Sequence, residues 1–402
     1  MFIYTMTKTL EIALIGAGIG GLAAANLLAK QNHQVTVLDQ FTQPEPVGSG
    51  LVIQPVGQSV LQAVGVLPQA MQAGNPISLL TGHTAPSGRQ VLNVSYGADR
   101  CGLAIHRATL FTLLLEAAKR SGVHLQADSP VAHTGLAGEG RCVKLVDGRE
   151  IGPFDLVIDA SGANSPLSPI KNKTLPFGAL WATVDWPGDT TLSAAQLSQK
   201  YHGSAIMAGV LPIGLMPNGS VSKAAIFWSM KHVDHKKWRQ EPLSKWQEET
   251  VLHWPEFAPF VQQTSRHKDF SMARYSHGTL RTPYSTKLVH IGDAAHTASP
   301  QLGQGANMAL LDAHALALAL ARDGMPRALE TYGLARRNHT RIYQAASYFF
   351  TPLYQSDSMI SSFLRDIVLA PISNLSPMQV LLSRLVSGDI VPPIQAGLTP
   401  RE

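Results

Sequence analysis

The chain has 402 residues, 45% hydrophobic and 15% charged, with 32 Lys and Arg against 27 Asp and Glu. So low a charged fraction, with Gly and Pro dispersed, excludes a disordered chain, a coiled coil and a collagen. A net charge of +5 over this length, with no long basic run, argues against nucleic-acid binding.

At roughly 100–200 residues per domain, two or three packed domains are expected. The two cysteines, Cys101 and Cys142, form no CxxC, and the 15 histidines show no metal-ligand spacing, so no metal is expected. No stretch approaches the roughly 20 apolar residues of a membrane span. The amino terminus lacks a basic n-region and a cleavage site. A cytoplasmic protein is expected, with peripheral contact to a membrane as its variant.

Leu10–Ile15 reads as a strand, Gly16-Ala17-Gly18-Ile19-Gly20-Gly21 as a turn, Leu22–Gln31 as a helix and His33–Asp39 as a second strand. Each glycine has a physical task. Gly16 permits a tight turn, Gly18 lets backbone approach a pyrophosphate, and Gly20 or Gly21 lets helix and strand pack closely. The helix start offers free N–H groups to the phosphates. Asp39, 23 residues after Gly16, is spaced to accept from a ribose hydroxyl. The pattern predicts an adenine dinucleotide without separating NAD from FAD.

Val60–Val66 reads as a short helix stopped at Leu67-Pro68, and Thr84–Val94 as a hairpin about Ser87-Gly88. Arg107 opens a helix ending near Gly122. A cation is out of place at a helix start, so it either faces an anionic ligand or sits on the surface. Val123–Gln126, Val131–Leu136 and Cys142–Val146 read as a small strand set, followed by a buried strand from Asp155. Strand-like segments at Ala179–Val184, Ser204–Leu211 and Lys223–Met230 suggest an inserted β-sheet domain. Trp181, Tyr201, Trp228 and Tyr275 there are either core or the lining of an aromatic-binding pocket.

Thr286–Ile291 reads as a strand running into Gly292-Asp293-Ala294-Ala295-His296, then Pro300, Gly303, Gly305, Ala306 and Asn307, then a long helix through Asp312 to about Arg322. Asp293 is placed to hold a sugar hydroxyl. Pro300, Gly303 and Gly305 give a fixed loop poor in side chains that can offer N–H groups to a flat ring. His296 reads as a hydrogen-bonded loop residue. Ser347–Ser387 reads as short amphipathic helices broken by prolines, a cap or a lipid-facing surface, and the last fifteen residues read as loose.

The glycine turn with Asp39, the segment Gly292–Ala313 and Arg107 together resemble the group A flavin-dependent aromatic hydroxylases, of the para-hydroxybenzoate hydroxylase fold, over about residues 8–345. The resemblance implies an α/β protein: a Rossmann-like FAD-binding domain of the GR2 type, an inserted β-sheet substrate domain and a C-terminal helical region. It places the FAD-binding domain in residues 8–73, 100–177 and 275–340. The substrate sheet takes 74–99 and 178–274, and the helical region 341–402.

The implied cofactors are resident FAD and transient NADH or NADPH. The partners are O₂ and a small aromatic or hydrophobic substrate, oxygenated through a C4a-hydroperoxyflavin. No catalytic base is identified. The family's middle motif, roughly DxxxxADGxxSxxR, matches at Asp155, Ala160, Gly162 and Ser165. Ser161 replaces its second acid and Ser168 its arginine, which bears on nicotinamide use. A reductase or halogenase-like enzyme on the same fold, or a non-catalytic flavin-binding subunit, are the other readings.

Overall fold

The computed structural model describes residues 8–42, 49–395 and 398. Its centre is a six-stranded sheet in the order Tyr284–Ser285, Leu288–His290, Leu156–Asp159, Glu11–Ile15, Gln34–Leu38, His124–Gln126. All neighbours are parallel except the first pair. Alternation along the central strand sorts its two faces. Ile12 and Leu14 meet the helices Ile19–Ala29, Arg107–Arg120 and Gly305–Asp323. Ala13 and Ile15 meet the meander Val131–Ala137, Gly140–Leu145, Glu150–Phe154 on the other side.

Two local readings in this part of the chain differ from the sequence expectation. Leu67-Pro68 begins a helix, Leu67–Ala73, instead of ending one, because proline is well suited to a helix's first turn. His124–Gln126 joins the parallel sheet beside Gln34–Leu38 and not the small meander.

The second sheet has eight strands, in the order His296–Thr297, Ser271–Thr279, Lys173–Asp185, Ser222–Lys231, Ile206–Leu215, Gln196–His202, Leu79–Thr84, Gln90–Ser95. One face, with Leu180, Ala182, Ile226 and Trp228, is sealed by Trp238, Trp246, Phe257 and Phe260. The other, with Trp181, Phe227 and Ile213, looks back at Val52, Ile77 and the C-terminal helices. The strand Ser271–Thr279 pairs with His296–Thr297, which ties this sheet to the segment after Gly292.

The C-terminal helices begin within one long helix, Arg327–Tyr354, so Ser347–Tyr354 finishes this helix and is not a separate short one. Pro352 stands inside this helix, two residues before its end, and leaves the Tyr348 carbonyl without its intrahelical N–H partner. Further turns follow at Met359–Phe363, Leu364–Leu369, Ala370–Ser373 and Ser376–Ser387. The tail is not loose where it is described: Ile394 and Leu398 are buried in the main core. Exposed apolar side chains concentrate here, including Tyr348, Phe349, Met359, Ile360, Phe363, Leu375 and Val380. Among the described residues no helix is long and apolar enough to cross a membrane.

Candidate functional site

Gly16 turns the chain after the central strand at φ +99°, a conformation that favours glycine. A Cβ there would stand 2.7 Å from the Ala160 carbonyl oxygen, and one at Gly21 would stand 2.1 Å from that of Gly16. Gly20 is equally closed, 2.9 Å from the Ala309 Cβ. Gly18 is different: no protein atom lies within 4 Å of where its Cβ would stand. The helix beginning at Ile19 has no side-chain cap and no acid in its first turn, so its amide donors open toward that space. Asp39 closes the turn from below, accepting from Ala17 N at 2.6 Å and Phe41 N at 3.0 Å. Its remaining lone pairs stay available at a half-buried position.

A second side-chain-poor helix start faces open space at Gly305, again with no protein atom within 4 Å of a Cβ and no cap. The loop before it is held on three sides. Gly303 turns at φ +60°. Asn307, fully buried, accepts from Gln54 N at 2.8 Å and donates to the Val52 and Gly303 carbonyls at 3.1 and 2.9 Å. Gln304 donates to the Val386 carbonyl at 2.7 Å, anchoring the loop to the last helix. A hydroxyl cluster, Ser299, Ser347 and Thr351, holds the residue before Pro300 to the long helix. Asn307 thus spends its side chain on the protein and sets the loop's shape, while Pro300, Gly303, Gly305 and Ala306 keep surface toward solvent.

Arg107 and Asp293 join these openings. Both are open to water, yet protein packs densely around each. That surround pulls the Arg107 pKa down against the opposing pull of Asp293. It pushes Asp293 up, with His296 and Arg107 resisting. Solvent access beside densely packed protein, with each of the two groups acting on the other, fits a concave stretch of surface. Arg107 heads its helix as expected, with His106 Nδ1 accepting from Ala108 N at 3.1 Å as the cap. Beneath the recess, Asp312 accepts from Gly292 N at 2.9 Å, His296 Nε2 at 2.6 Å and Arg336 Nε at 2.8 Å. His296 is therefore a buried, engaged group.

The middle motif reveals an acid that the sequence reading passed over. Asp159, fully buried at the strand end, accepts from Ser161 Oγ and Ser165 Oγ at 2.6 Å each, and lies 2.7 Å from His290 Nδ1. Burial alone would raise its pKa, but these hydrogen bonds hold it below the ordinary carboxylate range. The charge absent at Ser161 thus stands two positions earlier. Ser168 Oγ donates to the Ala294 carbonyl at 2.6 Å, joining this turn to the segment after Gly292. The signal in the sequence was a lone Asp closing an apolar strand.

The four singled-out aromatics divide. Tyr201 and Trp228 are core. Trp181 and Tyr275 are half-buried on adjacent strands, with Trp181 Nε1 donating to Tyr275 Oη at 3.0 Å and Phe227 4.7 Å from the Trp181 ring. A cavity of about 490 Å³ runs from Trp181 along Ala182–Asp185 to Ser49 and Phe270. Among the described residues no cluster of His, Cys, Asp and Glu is arranged to hold a metal ion.

The side-chain-free helix starts, the three closed glycines Gly16, Gly20 and Gly21 and the charged recess fit an extended dinucleotide ending in a flat ring. Comparison with known proteins agrees. The family described as FAD binding domain matches residues 9–345. An FAD-dependent monooxygenase of an Arthrinium species is 26% identical over 84% of this chain and 83% of its own. The 2-heptyl-3-hydroxy-4(1H)-quinolone synthase of Pseudomonas aeruginosa is 25% identical over 94% and 98%. The solved 2-methyl-3-hydroxypyridine-5-carboxylic acid oxygenase superposes with a TM-score of 0.78 at 19% identity, over 94% of this chain and 96% of that one, and so shares the fold.

Proposed function

The chain belongs to the FAD binding domain family and is an FAD-dependent monooxygenase; we propose that it oxygenates an aromatic small molecule carrying an apolar substituent, using O₂ and NADH or NADPH. Bound FAD supplies the electron transfer and the oxygen activation. The protein's part is to hold the cofactor, place the ring and exclude water.

In this reading the amides after Gly18 take the pyrophosphate and Asp39 a ribose hydroxyl. Arg107 and Asp293 line the recess, and the Pro300–Ala306 loop, shaped by Asn307, borders the flat ring. Residues 8–73, 100–177 and 275–340 carry the cofactor, 74–99 and 178–274 the substrate, and 341–402 cap both. The observation that carries the proposal is the pair of uncapped, side-chain-free helix starts at Gly18 and Gly305 beside one charged recess. Trp181 and Tyr275 support an aromatic substrate. The exposed apolar residues of the C-terminal helices support an apolar substituent, and contact with a lipid surface during its uptake.

The test is to measure NADH and NADPH oxidation by the purified flavoprotein with phenols and with alkylated quinolones, under ¹⁸O₂. Stimulated oxidation with one labelled oxygen in the product is expected. Oxidation that yields hydrogen peroxide and no labelled product with every compound overturns the monooxygenase assignment. Absence of FAD from the purified protein overturns the cradle. Sedimentation with anionic vesicles, lost when Met359, Ile360 and Phe363 become Ser, checks the lipid contact.

A further inference from the structure

A second cavity, of about 240 Å³, is lined by Arg281, Arg336, Arg337 and Arg341 together with His296 and Asp312. Gly18, Arg107, Asp293 and Gly305 do not line it, while Ala295 and His296, from the same segment as Asp293, do, so it lies behind the cofactor recess and not within it. Its charge is unbalanced. Asp312 is its one carboxylate and is already engaged by Gly292 N, His296 and Arg336. Among the described residues, no acid forms an ion pair with Arg281, Arg337 or Arg341. Arg337 and Arg341 are one turn apart on the long helix and share a face.

The floor supplies the second observation. Arg336 is 2% exposed, and its Nη2 is a buried donor with no acceptor. A buried, unmatched guanidinium nitrogen is costly. Asp312 offsets the charge of Arg336, but Arg281, Arg337 and Arg341 add three positive charges with no acid paired to them among the described residues, and the resulting potential favours an anion. Their planar forks match a tetrahedral oxyanion bidentately. The volume lies below the roughly 300–1,000 Å³ of drug-sized ligand sites, which excludes a whole dinucleotide.

We propose that this cavity is a binding site for a phosphate group: inorganic phosphate or the phosphate of a small metabolite. The site is built onto the cofactor loop from behind, because Arg336 reaches Gly292 through Asp312. Occupancy therefore stiffens the loop that begins at Gly292.

The test is isothermal titration of the FAD-loaded protein with inorganic phosphate at constant ionic strength set by NaCl, with benzoate as the carboxylate arm. Saturable phosphate binding is expected, weakened roughly tenfold or more in Arg337→Gln/Arg341→Gln. The FAD content of that variant should be unchanged, since neither residue touches the cofactor recess. Because both arginines are exposed, the variant is expected to fold. Single Arg341→Gln and the wild-type titration each stand alone as checks. Binding of benzoate without phosphate, heats indistinguishable from added NaCl, or undiminished binding by the double variant overturns the site. Competition of phosphate by glucose 6-phosphate would identify a phosphorylated metabolite as the occupant, and its absence inorganic phosphate; both support the site.

Discussion

Arg336 donates through Nη1 to Nδ1 of His339 at 3.2 Å, three residues along the same buried helix face. His339 Nε2 in turn donates to the Gly388 carbonyl at 2.8 Å. The ring is therefore neutral, with its proton on Nε2. Burial, then the neighbouring Arg336 charge, hold its pKa down at about 3.

A depressed histidine leaves the folded state unable to bind a proton that the unfolded chain takes up near pH 6.5. Stability should fall as pH drops from about 6.5 toward 3, by up to about 1.4 kcal/mol per pH unit from this one group. Burial also lowers His33, His106 and His314, so the total slope is larger. Urea midpoints between pH 7 and 4 should show this slope, and His339→Gln should remove one proton's share of it. Asp312, held at about 2 against burial by His296 and Arg336, acts in a lower window. Its stabilisation is complete above about pH 4 and lost as pH falls through 2.

Gly16 and Gly18 separate folding from binding. Gly16→Ala forces an L residue to φ +99° against the Ala160 carbonyl and should cost about 2–3 kcal/mol or more, read as a lower apoprotein Tm. Gly18→Ala meets no protein atom and should leave the apoprotein Tm within about 2 °C. It should nevertheless lower FAD affinity at least tenfold by fluorescence titration, because the methyl group enters the space read as the pyrophosphate's.

Asn307→Ala removes three hydrogen bonds, two of them buried, and takes a buried partner from Gln54 N and from the Val52 carbonyl. A loss of about 2–4 kcal/mol is expected. Amide exchange at Gly303–Gly305 should quicken before global unfolding.

Restoring the family's acid with Ser161→Asp should not help. It places a second carboxylate on Asp159, where a hydroxyl now donates at 2.6 Å. Two carboxylates sharing a buried site raise one pKa and repel. We expect about 1–3 kcal/mol of destabilisation, largest above pH 6, by thermal melts across pH.

The cradle was legible in the sequence because its demands are local. A turn at φ +99° asks for glycine at Gly16, and the spacing from Gly292 through Asn307 is one continuous segment. The supports were not legible because they join residues far apart. Asp159 meets His290 across 131 positions, and Asn307 reaches Val52 across 255. His124–Gln126 is three residues long, and only pairing with Gln34–Leu38 decides its sheet. The tail looked loose by its prolines, yet the Pro393 carbonyl accepts from Arg336 and Ile394 packs into the core. Composition records neither contact.

The strand order carries a consequence for synthesis. Glu11–Ile15 pairs with Leu156–Asp159, which pairs with Leu288–His290, and Ile394 and Leu398 then complete the same core. A nascent chain cannot close this sheet until His290 has emerged, and cannot complete the core until Ile394 and Leu398 follow. Part of the apolar face around Ile12 and Leu14 therefore stays uncovered during synthesis, and amino-terminal fragments are expected to aggregate.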